Sequence, residues 1–272
     1  MDYLVFQLQA PLSSWGEPAV GEFRGTADRP GQSALIGLLG AALGLLREDE
    51  DAHAALRDAY GFAVGLLSSG HLLRDYHTAQ VPPRTALKGR PHATRRHELS
   101  VPKNELGTIL STRDYRQSAA SLVAVQPRQG AALPYDLEAL ANALRLPCFT
   151  LYLGRKTCVL GAPLWPQVLA ADSAHAAFTA YAARFEKARQ AVKNTKDTLP
   201  LEPLPYLQSI AFDENIHAGV AHDLSTRRKD RLIRRKNWQF GDRNEFLAFL
   251  PMPVQESLST PAPATASLHQ KA

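Results

Sequence analysis

Residues 79–118 constrain the chain most. Four prolines (Pro82, Pro83, Pro91 and Pro102) interrupt this stretch, and no helical or strand period runs through it. From Arg84 to Arg116 it carries eight Lys or Arg against three acids, Glu98, Glu105 and Asp114. An irregular segment of this length inside a globular chain is functional or disordered. Its ends look alike: Arg74-Asp75-Tyr76-His77 on one side, Thr112-Arg113-Asp114-Tyr115-Arg116 on the other. Such ends suit the paired stems of an extended basic finger.

The flanking segments are regular. Tyr3 to Gln9 is β-rich and mostly apolar, which predicts a buried first strand. Ala34 to Leu46 is apolar nearly all round and predicts a buried helix with Ser33 as its N-cap. Gly37, Gly40 and Gly44 recur along it at a cost in helix propensity, so something must pack close to that face. They lie inside the helix and no Walker lysine follows, so they are not a nucleotide fingerprint. Arg47 to Asp58 predicts a short surface helix, and Tyr60 to Leu67 and Ala119 to Gln126 predict strands. Pro134 to Leu146 predicts a helix capped by Asp136, and Cys148 to Leu153 a further strand.

The order is strand, helix, strand, insertion, strand, helix, strand. It predicts an α+β chain whose residues 1–160 form a ferredoxin-like (RRM-type) domain with an inserted basic thumb at 79–118. Residues 161–250 form a smaller C-terminal α+β part: an amphipathic helix at Ser173 to Asn194, a polar link at Thr195 to Pro205, and strands at Gln208 to Phe212 and Phe246 to Leu250. Residues 251–272 are Pro, Ala, Ser and Thr in the main and predict a disordered tail.

Charge and cysteines narrow the function classes. A net charge of +5 over 272 residues permits a polyanionic partner without requiring one. Cys148 and Cys158 form no C-x-x-C pair, which argues against a disulfide scaffold and a zinc site. No metal or cofactor is expected. Met1-Asp2-Tyr3-Leu4 has no basic leader pattern, and the longest apolar run falls short of the roughly 18 residues that span a bilayer. The expectation is a soluble cytoplasmic protein with no membrane partner.

Three segments offer nucleic-acid contacts. The Pro- and Gly-rich loop from Ala10 to Pro30 carries Trp15, Phe23, Arg24 and Arg29, which either grip a single strand or pin the loop to the core. In Tyr152-Leu153-Gly154-Arg155-Lys156-Thr157-Cys158, Gly154 permits a sharp turn, two cations sit where phosphate oxygens would approach, and Tyr152 offers a ring. The plainer reading is a strand end with two solvated cations. Thr226 to Lys236 holds seven Lys or Arg and one acid, Asp230, followed by Trp238, Phe240 and Arg243. It reads as nucleic-acid contact or as a solvated basic face.

In order, the chain shows Ala10-Pro11-Leu12-Ser13-Ser14-Trp15-Gly16, the helix from Ser33 to Gly44, Leu73-Arg74-Asp75-Tyr76-His77-Thr78 and the Tyr152 to Cys158 turn. Together these resemble the CasD-type subunits (CRISPR-associated family five) of the type I-E CRISPR surveillance complex, Cascade. The likeness is closest over roughly residues 1–166. It implies a non-catalytic subunit that binds and caps the 5′ handle of the crRNA. Such a subunit contacts the backbone and large subunits and reaches target DNA only through the complex, in RNA-guided antiviral defence. By motif position the resemblance implies RNA contacts at Trp15, Arg24, Ser33, Tyr76, His77, Tyr152, Gly154, Arg155 and Lys156, with Arg113, Tyr115 and Arg116 on the thumb. The competing enzyme reading is a metal-independent endoribonuclease using His77, Tyr115 and Lys156. A third reading is a protein-interaction subunit whose basic patches are merely solvated.

Overall fold

The computed structural model describes residues 1–16, 19, 21–193 and 202–252. β1 (Asp2–Gln9) leads into two short strands, β2 (Leu12–Ser13) and β3 (Phe23–Arg24), then α1 (Gln32–Leu43) and α2 (Glu50–Ala59). β4 (Tyr60–Ser68) and β5 (His71–Val81) follow. One helical turn, α3 (Arg95–Glu98), precedes β6 (Gly107–Gln117), then come β7 (Ala120–Pro127) and α4 (Leu137–Arg145). β8 (Gln167–Ala170), α5 (Ala174–Lys193), β9 (Ser209–Phe212), β10 (Leu224–Arg234) and β11 (Gln239–Phe249) complete the fold, an α+β arrangement.

Seven strands make one sheet in the order β10-β11-β9-β4-β7-β1-β8, with every neighbouring pair antiparallel. Both faces are covered. Leu4, Phe6 and Leu8 of β1 face a core shared with α1 and α4, while Tyr3 and Val5 face a second core under Phe178 and Tyr181 of α5. Strand alternation with both faces buried explains why β1 is apolar without a break.

The finger is an antiparallel ladder of β5 and β6. Its register sets Arg74 opposite Asp114 and Tyr76 opposite Thr112, so the two look-alike segments face each other. Arg74 donates to both Asp114 carboxylate oxygens, at 2.9 and 3.1 Å. That pairing holds Asp114 below its ordinary carboxylate value. The paired strands start at His71, because the Arg74-to-His77 segment is itself strand. β2 and β3 both pair with β6, so the loop at 10–30 is stitched to the root of the finger.

Several sequence expectations need correction. Cys148 to Leu153 forms no strand: the Cys148 and Phe149 amides donate to Ala42 and Ala41 carbonyls, satisfying the C-terminal end of α1. The strand beside β1 is β8 instead. Ser33 is not the N-cap of α1; Gly31 holds that position, and the Gln32 amide is satisfied by Asp230 of β10 at 3.0 Å. A distant carboxylate has replaced the local hydroxyl. The last strand begins at Gln239 rather than Phe246, because the cationic segment before it is strand β10. Asp136 does cap α4, accepting from the Ala139 amide at 2.6 Å. The glycines of α1 meet three different neighbours: a Cβ at 37 would lie 3.0 Å from the Arg235 guanidinium, one at 40 would lie 2.7 Å from the His53 ring, and one at 44 would lie 2.7 Å from Cys148 Sγ. Of the expected tail, residues 253–272 lie outside the described residues, as do 195–201 of the link.

Two buried carboxylates bind the β10–β11 pair to the start of α1. Asp230 accepts Arg243 Nε at 2.6 Å; Glu245 accepts Arg228 Nη1 at 3.1 Å, Arg29 Nε at 3.2 Å and Arg243 Nη2 at 2.9 Å. Burial pushes the Glu245 carboxyl up, but Arg228, Arg29 and Arg243 outweigh it and hold it below its ordinary value. Its contribution to stability is therefore complete above the carboxylate value of the unfolded chain and disappears as pH falls through the lowered folded value. We predict that Glu245→Gln lowers stability by about 3 kcal/mol near neutral pH, because Arg29, Arg228 and Arg243 lose the buried carboxylate they share and keep only Asp28 and Asp230 between them. The gap to the unmodified chain should narrow in acid, as urea melts across a pH series would show. A gap that does not change with pH would remove this role for Glu245.

The turn at Gly154 is equally specific. Its φ is +90°, and a Cβ there would overlap the Ser14 carbonyl. Gly130, at φ +74°, has open space around it. Gly154→Ala should cost at least about 2 kcal/mol, and Gly130→Ala clearly less. Equal losses in parallel urea melts would refute the close-approach account.

Candidate nucleic-acid interface

The Ser14 amide donates to the Leu153 carbonyl at 3.0 Å, and Ser14 Oγ donates to the Asp114 carbonyl at 3.1 Å. These bonds draw the first loop, the finger root and the Gly154 turn to one place. Arg155 completes the joint. Its guanidinium donates to the Asp114 and Arg24 carbonyls, at 3.1 and 3.2 Å, and lies 4.5 Å from the centre of the Tyr115 ring.

Beside this joint is a cleft of about 350 Å³. One wall is the first loop and the Gly154 turn, the floor is the Ser33-to-Ala41 face of α1, and the far wall is Arg235, Trp238 and Phe240 from the β10–β11 turn. Six expected residues meet here: Trp15, Arg24, Ser33, Tyr152, Gly154 and Arg155. The lining includes three arginines and four aromatic rings but no Asp or Glu.

The six play different parts. Trp15 is 6% exposed, and backbone bonds tie it to Thr26 and Ala27, so it anchors its loop as well as lining the cleft. Arg24 is exposed and donates to the Gly21 carbonyl at 2.6 Å. Ser33 is half-buried on α1. Tyr152 stands at the rim, 37% exposed. Gly154 shapes the turn, while Arg155 spends two N–H groups on carbonyls and its face on Tyr115. Lys156, next along, is exposed.

The remaining expected residues are not in the cleft. Tyr76, His77 and Arg113 are exposed on the finger, and His77 Nε2 is bonded to the Asp75 carboxylate. Tyr115 is buried beneath Arg155, and Arg116 is half-buried with a buried, unpartnered Nε. The ladder sets His77 opposite Ser111 and Tyr115 opposite Leu73, so these two lie four residues apart along β6, roughly 13 Å.

Arg235, Trp238 and Phe240 line the cleft from outside the expected contact residues. Their signal was present in the sequence as cations beside rings after Thr226, but nothing local shows that this hairpin folds back onto α1. The same cationic segment also serves elsewhere. Arg228 and Arg243 are held by Asp230 and Glu245, and a second groove of about 270 Å³ interleaves Arg128, Arg227 and Arg231 with Asp213, Glu214 and Asp242. Among the described residues no cluster of His, Cys, Asp or Glu is arranged to hold a metal ion, and no helix is long and apolar enough to cross a membrane.

Comparison with known proteins agrees with this fold. A chain of a CRISPR RNA-guided surveillance complex superposes with a TM-score of 0.55 at 23% identity, over 91% of this chain and 89% of that one. A solved structure described as a Cas protein gives 0.51 at 23% identity, over 92% and 95%. In sequence, the chain is 33% identical over 171 residues to the CRISPR system Cascade subunit CasD of Escherichia coli (strain K12), covering 60% of this chain and 69% of that protein. Residues 3–244 match the profile of the family described as CRISPR-associated protein (Cas_Cas5). The chain belongs to that family.

Proposed function

We propose that this chain is a non-catalytic subunit of a Cascade-type CRISPR surveillance complex and that its cleft holds the single-stranded 5′ handle of the crRNA. The observation that carries the reading is the lining of the cleft: three arginines, four rings and no carboxylate. Single-stranded RNA needs cations for its phosphates and flat faces for splayed bases, and a carboxylate would repel it. The 33% identity to a Cascade subunit supports the assembly. In it the finger packs on the adjacent backbone subunit, the chain also meets the large subunit, and target DNA is reached through the complex in the cytoplasm.

The domain reading is part of the same proposal. β1, α1, β4, β7, α4 and β8 run in the order of a ferredoxin-like half, and the sheet sequence β4-β7-β1-β8 supports it. On this reading β5 and β6 are the thumb, and β9 to β11 belong to a C-terminal part that extends the same sheet.

Catalysis is not part of the proposal. Cleavage by 2′-hydroxyl attack needs a base and a cation facing one phosphate. The cleft lining holds no histidine. Tyr115 lies under Arg155, and the ladder separates it from His77.

The test is binding of labelled repeat-derived handle RNA by fluorescence anisotropy, with a scrambled RNA as control. It is run over a salt series, with and without the neighbouring backbone subunit. Handle RNA should bind in preference and stay intact on a denaturing gel, and affinity should fall steeply with salt. Tyr152→Ala should weaken binding about tenfold through loss of one stacked base. Equal affinity for both RNAs would sink the handle assignment, and cleaved RNA would sink the non-catalytic one.

A further inference from the structure

The turn between β10 and β11 closes the far side of the cleft, and three observations single it out. First, Arg235 is half-buried, yet its guanidinium makes no hydrogen bond or ion pair among the described residues. The other buried arginines of this hairpin, Arg228 and Arg243, rest on carboxylates. Burial pushes Arg235 below its ordinary value; Tyr152 and Glu50 oppose that and Arg47 adds to it. A half-buried cation with no carboxylate bonded to it is costly, and an incoming anion relieves it.

Second, the turn is held in place from behind. Glu50 accepts the backbone amides of Arg235 and Lys236 at 2.9 and 2.6 Å, and Arg47 donates to the Lys236 carbonyl at 3.0 Å. Arg47 also lies 4.4 Å from the centre of the Trp238 ring. Glu50 is thus occupied by main chain, and the Arg235 guanidinium, 5.9 Å from the centre of the Trp238 ring, lines the cleft with its N–H groups unbonded among the described residues. Third, Trp238 has φ +52° and remains 56% exposed. A bulky residue in the left-handed region is an outlier that the surrounding structure has to enforce. Here the result is a large, pre-set ring at the mouth of a cleft that already carries Tyr152 on its other wall.

We propose that Arg235 and Trp238 form a phosphate-and-base subsite of the cleft, Arg235 binding one RNA phosphate and Trp238 stacking an adjacent base. This rests on the RNA-binding reading of the cleft and assigns it two residues of the β10–β11 hairpin that lie outside the expected contact residues. Gly37 belongs to the same device. The missing side chain leaves room for the guanidinium, which a Cβ would approach to 3.0 Å. Because the obstructed atoms are the tip of a long side chain, Gly37→Ala would displace Arg235 without disturbing α1.

The test uses the full chain and labelled single-stranded RNA from the 5′ part of the CRISPR repeat, over a KCl series, with thermal melts of every variant. Arg235→Ala should weaken binding about tenfold and reduce the salt slope by about one. Trp238→Ala should weaken it about tenfold with the slope unchanged, and Trp238→Phe should retain most of the affinity. Gly37→Ala should keep or raise the melting temperature, since alanine favours a helix, and still weaken binding several-fold. If the unmodified chain binds and Tyr152→Ala weakens it while the variants at 37, 235 and 238 bind normally, the subsite is wrong and the cleft reading stands. If the unmodified chain binds no RNA, both fall.

Discussion

One backbone hydrogen bond, from the Ser14 amide to the Leu153 carbonyl, underlies the site. It exists because residue 154 has no side chain to strike the Ser14 carbonyl. Through this contact the loop after β1 meets the turn before Cys158, two segments about 140 positions apart in the chain. Arg155 and Ser14 then share the Asp114 carbonyl, which brings in the root of the finger. A cleft with converging walls follows from this joint on one side. On the other it follows from the ion network at Asp230 and Glu245, which fixes β10 and β11 against α1.

The arginines of this chain divide by what neutralises them. Arg29, Arg228 and Arg243 sit on buried carboxylates, and Arg74 sits on Asp114. These ion pairs position elements and leave little charge for a ligand. The arginines lining the cleft bond to backbone carbonyls, except Arg235, whose guanidinium makes no hydrogen bond or ion pair among the described residues and lies over the Trp238 ring. A carbonyl orients a guanidinium without cancelling its charge. The cleft is therefore the place where net positive charge and aromatic surface coincide, although the basic residues are spread along the sequence.

Much of this was legible in the chain. The β5–β6 ladder was signalled by two similar polar segments bracketing a proline-rich stretch, and Arg74 faces Asp114 as that symmetry suggests. The glycines of α1 foretold close packing, and Asp136 foretold its helix. What failed was local reasoning about long-range satisfaction. Ser33 had the chemistry of a cap, but Asp230 took the role from a strand nearly 200 residues away. Cys148 to Leu153 had strand-like residues, but its amides were needed by α1. Arg155 looked like a phosphate ligand, and the fold uses its guanidinium as a brace to the Asp114 and Arg24 carbonyls. Arg235 and Trp238 carried the right chemistry, and only the fold brings them to the cleft.

The central claim is that RNA lies in this cleft between the Gly154 turn and the β10–β11 turn. The most direct measurement is photo-crosslinking of handle RNA carrying 4-thiouridine at successive positions to the full chain, with the attachment sites mapped by mass spectrometry. The account predicts crosslinks on both walls, at Tyr152 or its neighbours and at Trp238 or Phe240, from nucleotides close together in the RNA. Crosslinks confined to the exposed finger, or to the groove at Arg128, Arg227 and Arg231, would contradict it.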